Sequence, residues 1–129
     1  MNSGRLPAEE FRDRTKSFAA RVIRVYTKLP LQKDEVHVLG KQLLRSGTSV
    51  AAHVREASRA RSGDEFVSKL GGALQEADES SLWLELLREE CGVPPNDTSA
   101  LEQESSELIA IFTTMGLPRK NGHRSCVIS

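Results

Sequence analysis

Apolar residues recur at helical spacing along nearly the whole chain, and no run alternates with the two-residue period of a half-buried strand. In the first segment Phe11, Phe18, Val22, Tyr26 and Leu29 fall three, four or seven residues apart, Ile23 and Val25 widen the stripe, and Arg and Lys hold most positions between them. The pattern predicts an amphipathic helix from about Pro7 to Lys28, ended at Leu29-Pro30 because a residue before proline is pushed out of the helical region. A second helix is expected from Asp34, taken as its N-cap, with Val36, Leu39, Leu43, Leu44, Val50, Ala51, Val54 and Ala57 as its apolar positions. Gly40 and Gly47 each cost about 1 kcal/mol against Ala in a helix interior. Either the helix bends near Ser46-Gly47-Thr48, or Gly47 admits another helix at close range; the small run Ser49-Val50-Ala51-Ala52 also suits close packing.

Ser62-Gly63-Asp64-Glu65 fits a capping box, in which the serine hydroxyl meets the Glu65 amide and the Glu65 carboxylate reaches back to the cap amide. The third helix follows with Phe66, Leu70, Ala73, Leu74, Ala77, Ser81, Leu84 and Leu87 on one face, and Leu82, Trp83 and Leu86 broaden that face near its end. So wide a stripe is either a broad core face or a hint of a second buried surface between subunits. Gly92 is expected to stop this helix, Val93-Pro94-Pro95-Asn96-Asp97 to form a turn, and Ser99 with Glu102 to open a fourth helix running to about Met115, with Gly116 as C-cap. Its inward residues are Leu101, Leu108, Ile109, Phe112 and Met115. Four helices joined by short connections give an all-α, antiparallel, up-down-up-down bundle over residues 1–116. Residues 117–129 carry no periodicity and read as a flexible basic tail.

Charge changes this picture of an ordinary bundle. The 129 residues hold 18 Lys and Arg against 18 Asp and Glu, a formal net charge of zero. Residues 1–62 nevertheless contain thirteen basic and six acidic residues, so they carry +7, and residues 63–129 carry −7. Either the basic half folds against the acidic half and the fields cancel, or one pole is a binding surface that steers partners despite the zero total. The basic candidates for contact with nucleic acid are Arg14, Arg21, Arg24, Lys28, Arg45, Arg55, Arg59 and Arg61. Six aromatic residues, all on or near apolar stripes, give no platform for stacking bases, so such contact would run through backbone phosphates.

Other chemistry is sparse. His37, His53 and His123 pair with no other His or Cys at metal spacing, and no Glu is followed three residues later by His, as a di-iron bundle requires. No phosphate loop, dinucleotide fingerprint or nucleophile elbow occurs. Gly71-Gly72 lies in a helical pattern, where it serves close helix approach. His53 reads either as a general base or as a hydrogen-bonded polar residue at a helix contact, and Glu56, Glu76 and Glu79 as polar residues between helices paired with bases such as Lys69 or Arg45. No catalytic residue, cofactor or metal is therefore expected, and the chain is read as a non-enzyme. Two cysteines make no disulfide framework, no membrane span is present, and MNSGRLPAEE lacks the apolar core of a secretory signal, so a cytoplasmic setting is expected. The terminal Cys126-Val127-Ile128-Ser129 has the form of a farnesylation box behind Arg119, Lys120 and Arg124, which has meaning only where a prenyltransferase is present.

The stretch Gln42-Leu43-Leu44-Arg45-Ser46-Gly47-Thr48-Ser49-Val50-Ala51-Ala52-His53-Val54-Arg55-Glu56-Ala57 resembles the bacterial four-helix-bundle proteins encoded within intervening sequences of 23S ribosomal RNA genes. Glu65-Phe66, Lys69-Leu70, Ala73-Leu74, Glu76, Glu79 and Trp83-Leu84 are similar to that family's third-helix pattern. The likeness covers about residues 8–116 in helix layout and is specific over 36–87, with Ser49, His53, Glu56, Lys69, Glu76, Glu79 and Trp83 as its motif and packing positions; His53 stands where the family commonly has Asn. The resemblance implies a left-handed bundle assembling as a homopentamer with a central channel. It also implies kinship with the accessory variability protein of diversity-generating retroelements, a basic pentamer that engages nucleic acid and a reverse transcriptase. The family's ribosomal label reflects gene location. The expectation is thus an oligomeric scaffold that binds RNA, DNA or a ribonucleoprotein through helices 1 and 2, or a protein-binding adaptor whose charged faces serve only ring assembly.

Overall fold

A computed structural model describes residues 7–116, which form four helices: α1 (Pro7–Lys28), α2 (Asp34–Ala57), α3 (Gly63–Glu89) and α4 (Pro95–Gly116). Neighbours in sequence are neighbours in space, and α4 returns to touch α1 over a shorter contact than the other three pairs make. The closing contact is set at one end by Phe11 against Phe112, edge to face with centroids 5.1 Å apart. This brings the start of α1 to the finish of α4, as an antiparallel bundle requires. Phe18, Val22, Val36, Leu43, Val50, Leu84, Leu87 and Leu108 are wholly buried along the axis.

Local signals account for most boundaries, with informative departures. Lys33, not Asp34, occupies the N-cap of α2 in extended conformation and gives no side-chain cap. The His37 amide already donates to the Lys33 carbonyl at 2.9 Å, which places Asp34 one residue inside, where it and Glu35 face the positive end of the helix dipole. Ser62 caps α3 as expected, its Oγ accepting from the Glu65 amide at 3.0 Å, but Glu65 Oε1 accepts from the Arg61 amide at 3.0 Å and leaves the cap's own amide alone. Helix α4 begins at Pro95, four residues ahead of Ser99. Proline loses no hydrogen bond in a first turn, so the expected loop is already helical, and Glu102 turns to Arg88 instead of forming a box.

The two readings of Gly47 are resolved. Helix α2 runs unbroken, and a Cβ at Gly47 would lie 2.7 Å from Val22 Cγ2, so glycine admits α1 at close range. Gly92 takes φ 74°, and the following Val93 amide donates to the Leu87 carbonyl at 3.0 Å as the buried Val93 folds back. On α3 the buried serine is Ser80, not Ser81. Ser80 donates to the Glu76 carbonyl at 2.9 Å, and its Oγ lies 2.8 Å from Ser46 Oγ across the α2–α3 contact. The broad stripe at the end of α3 splits: Leu84 and Leu87 enter the core, Trp83 and Leu86 are half-buried, and Leu82 is 45% exposed. No described helix is long and apolar enough to cross a membrane. The tail and its Cys126-Val127-Ile128-Ser129 terminus lie outside the described residues.

Candidate nucleic-acid interface

The charge asymmetry of the sequence becomes a difference between two layers. Helix α1 carries six basic and three acidic residues, whereas α4 carries Asp97, Glu102, Glu104 and Glu107 and no basic residue. Part of this opposition is neutralised within the bundle. Arg14 reaches across to α4, its Nε and Nη2 donating to the Glu104 carboxylate at 2.7 and 2.9 Å and Nη2 also to Glu107 at 2.8 Å. These bonds, that to Glu104 foremost, hold the Arg14 guanidinium above its ordinary value, while the Gln103 amide, and after it Arg14, holds the Glu107 carboxyl below its own. Arg45 bridges α2 to α3, with Nη2 2.9 Å from Glu79 and Nη1 3.4 Å from Glu76. Arg88 forks onto Glu102 at 2.9 Å through both Nε and Nη2, which raises its own value and lowers that of Glu102.

The remaining basic candidates are differently placed. Arg24, Lys28, Arg55, Arg59 and Arg61 are exposed, Arg21 is half-buried, and none of the six forms a side-chain ion pair among the described residues. They do not make one continuous face. At about 100° per residue, Arg21 and Lys28 follow Arg14 at whole heptads and so lie toward α4, while Arg24 lies on the outer side of α1. Arg55 and Arg59 flank Ser58, whose Oγ accepts from Arg12 Nη1 at 3.4 Å, so they lie along the seam with α1. Lys16, one turn beyond Arg12 and exposed, completes a strip of Arg12, Lys16, Arg55 and Arg59 along that seam. Arg12 and Lys16 were absent from the sequence candidates. The signal that finds them is the antiparallel register of α1 against α2, because the start of one helix must stand beside the finish of the other.

The motif residues gather elsewhere, on the seam between α2 and α3. Lys69 Nζ lies 3.2 Å from Glu56 Oε1, so the pairing of Glu56 with Lys69, and of Glu76 and Glu79 with Arg45, is present. The His53 ring packs on Gly72, where a Cβ would approach ring atoms to 2.9 Å. Its nitrogens stand 3.9 Å from Glu56 and 4.0 Å from Glu76, beyond hydrogen-bond reach. Ser49 and Trp83 are half-buried, and the buried Trp83 Nε1 has no hydrogen-bond partner among the described residues. This network clasps two helices, and His53 Nδ1 is buried without a hydrogen-bond partner among the described residues. Burial, with Glu35 and Glu90 nearby, pushes the Cys91 thiol up, away from the reactive thiolate. Among the described residues no group of three His, Cys, Asp or Glu side chains has the geometry to hold a metal ion.

The sequence profile of the 23S rRNA-intervening sequence protein family matches residues 10–114. A crystal structure from Bacteroides thetaiotaomicron VPI-5482, described as a protein with unknown function from the S23 ribosomal protein family, is similar at 32% identity and a TM-score of 0.74, covering 85% of this chain and 97% of that one. No curated protein matches the chain.

Proposed function

Because this chain belongs to the 23S rRNA-intervening sequence protein family, we propose that it is a non-enzymatic, homopentameric helical scaffold that binds RNA, alone or within a ribonucleoprotein, through the basic α1–α2 layer. The observation that carries this reading is the division among the cations. Arg14 and Arg45 are consumed by carboxylates of α4 and α3, whereas Arg21, Arg24, Lys28, Arg55, Arg59 and Arg61 keep no internal partner among the described residues. Unpaired arginines and lysines on a layer without stacking aromatics suit phosphate contacts, which carry affinity and little sequence information.

The test is a titration of fluorescent RNA carrying a 23S intervening-sequence helix at several salt concentrations. A protein that neutralises about six phosphates loses roughly 10³-fold in affinity between about 50 and 200 mM salt. Arg55→Glu with Arg59→Glu weakens binding and leaves the oligomer, sized by light scattering, intact. Absent or salt-insensitive binding to RNA and DNA at low ionic strength overturns the proposal.

A second reading is favoured by the absence of any basic residue in α4. In an adaptor ring, the α1–α2 layer of one subunit would meet the α3–α4 layer of the next, a head-to-tail contact that closes on itself. Reversing Arg21 and Arg24 to Glu then breaks the oligomer, whereas loss of nucleic acid from an intact oligomer favours the first reading.

A further inference from the structure

An apolar cavity of about 240 Å³ lies at one end of the bundle, and every helix contributes to its walls: Phe11 from α1, Val54 and Ala57 from α2, Phe66 and Leu70 from α3, and Met115 from α4. Ser58, the C-cap of α2, also lines it and supplies its one side-chain hydroxyl. A dry cavity of about 150 Å³ takes benzene, so by proportion this one holds an apolar body of about eight carbon atoms.

Arg12 stands over the hydroxyl. Ser58 Oγ donates to the Arg55 carbonyl at 2.7 Å and accepts from Arg12 Nη1 at 3.4 Å, a long bond. Arg12 is half-buried and forms no ion pair among the described residues. A guanidinium that has lost water without gaining an anion leaves a charge-assisted bond to be made. We propose that this end of the bundle binds a short aliphatic monocarboxylate of about eight carbons, with its chain in the cavity and its carboxylate beside Ser58, accepting from Arg12.

Net charge does not choose the guest, because this end carries both signs; position does. Of the acids, Glu56 is paired with Lys69 at 3.2 Å, Glu65 accepts from the Arg61 amide, and Glu10 lines a separate groove with Arg14 along the α1–α4 seam. Asp64 is exposed in the first turn of α3, and Asp13 lies about 100° round α1 from Arg12. Glu9 precedes Arg12 by one turn and forms no ion pair among the described residues. Of the cations, Arg14 and Lys69 are paired, whereas Arg12, Arg55 and Arg59 stand around Ser58 without a carboxylate among the described residues, and Lys16 and Arg61 are exposed a few residues farther along the chain. The apolar walls and the cations therefore meet at Ser58. Methylenes beyond the length of the cavity would stay in water and add nothing.

The test is a titration of the full chain with sodium octanoate below its micelle-forming concentration, read by calorimetry and by NOEs from the octanoate chain to the Phe11 and Phe66 rings. Octanol serves as the uncharged control. Octanoate should bind at one site and show those NOEs. Arg12→Gln should weaken octanoate about tenfold, the loss of one charge-assisted bond, and leave octanol unchanged. Ala57→Leu fills the cavity and should abolish both; if it does not fold, Met115→Trp closes the mouth from a half-buried position and makes the same test. Octanoate that does not bind, that keeps its affinity in Arg12→Gln or Met115→Trp, or that shows no NOE to either ring overturns the proposal. An equal loss of octanol in Arg12→Gln also overturns it, because the arginine then shapes the cavity and does not hold the carboxylate. The titration contains no nucleic acid, so its outcome is separate from that of the RNA reading.

Discussion

Replacing Gly47 by alanine sets helix propensity against packing, and the geometry says which wins. In an exposed helix interior the change gains about 1 kcal/mol. At Gly47 the added Cβ would lie 2.7 Å from Val22 Cγ2, 2.9 Å from Cγ1 and 3.1 Å from Cβ. Val22 is wholly buried and branched at Cβ, so its methyls have no free rotamer to retreat into. The clash is therefore relieved by moving α1 away from α2, an overpacking cost of about 1–3 kcal/mol. The net expectation is a loss of about 1 kcal/mol for Gly47→Ala, against a gain of about 1 kcal/mol for Gly71→Ala, where nothing lies within 4 Å. Between the two variants Tm should differ by about 8 °C, measured by circular dichroism at one protein concentration. In a Val22→Ala background Gly47→Ala should become stabilising, a coupling of about 2 kcal/mol. If Gly47→Ala raises Tm as much as Gly71→Ala does, the close approach of α1 is not what requires glycine at this position.

Three further outcomes can be checked on the same preparation. Ser46→Ala and Ser80→Ala should each cost about 1 kcal/mol in urea unfolding, and the double variant less than their sum, because either single change already removes the bond the two hydroxyls share. Arg88 holds Glu102 below the ordinary carboxylate range, so on acidification the unfolded chain takes up that proton first; Glu102→Gln should be less stable than wild type at neutral pH, with the gap closing as pH falls through about 4.3 and below. A gap that persists unchanged at pH 3 would sink that assignment. Gly72→Ala should destabilise the native protein, whose His53 ring occupies the space, and be tolerated beside His53→Asn, where a smaller side chain leaves room for the methyl.

The four helices were legible because their signals are local. The step before Pro30, the serine cap at Ser62 and the positive-φ glycine at Gly92 act within a few residues of chain, and the apolar stripes locate the core to within a turn. Errors fell where two local rules competed. Proline in a first turn outweighed the Ser99 box at α4, and a carbonyl already bonded at Lys33 displaced the cap expected at Asp34. Ser80 and Ser81 are equally small and polar, and only contact with Ser46 decides which of them is buried.

The basic surface was legible in part. Periodicity identifies which residues are exposed on a helix, but it contains nothing about how neighbouring helices slide and rotate against each other. That register places Glu104 and Glu107 against Arg14, 90 or more residues away, and Glu76 and Glu79 against Arg45, removing two cations from the candidate interface. It also brings Arg12 beside Ser58 and so adds the strip that charge counting missed. The sequence by itself determined an all-α bundle with a basic and an acidic half, because helix formation and the apolar stripe depend on neighbours along the chain. Tertiary structure alone decided which charges cancel and which remain free, because an ion pair forms only where packing of the apolar stripes has first fixed the distance between two helices.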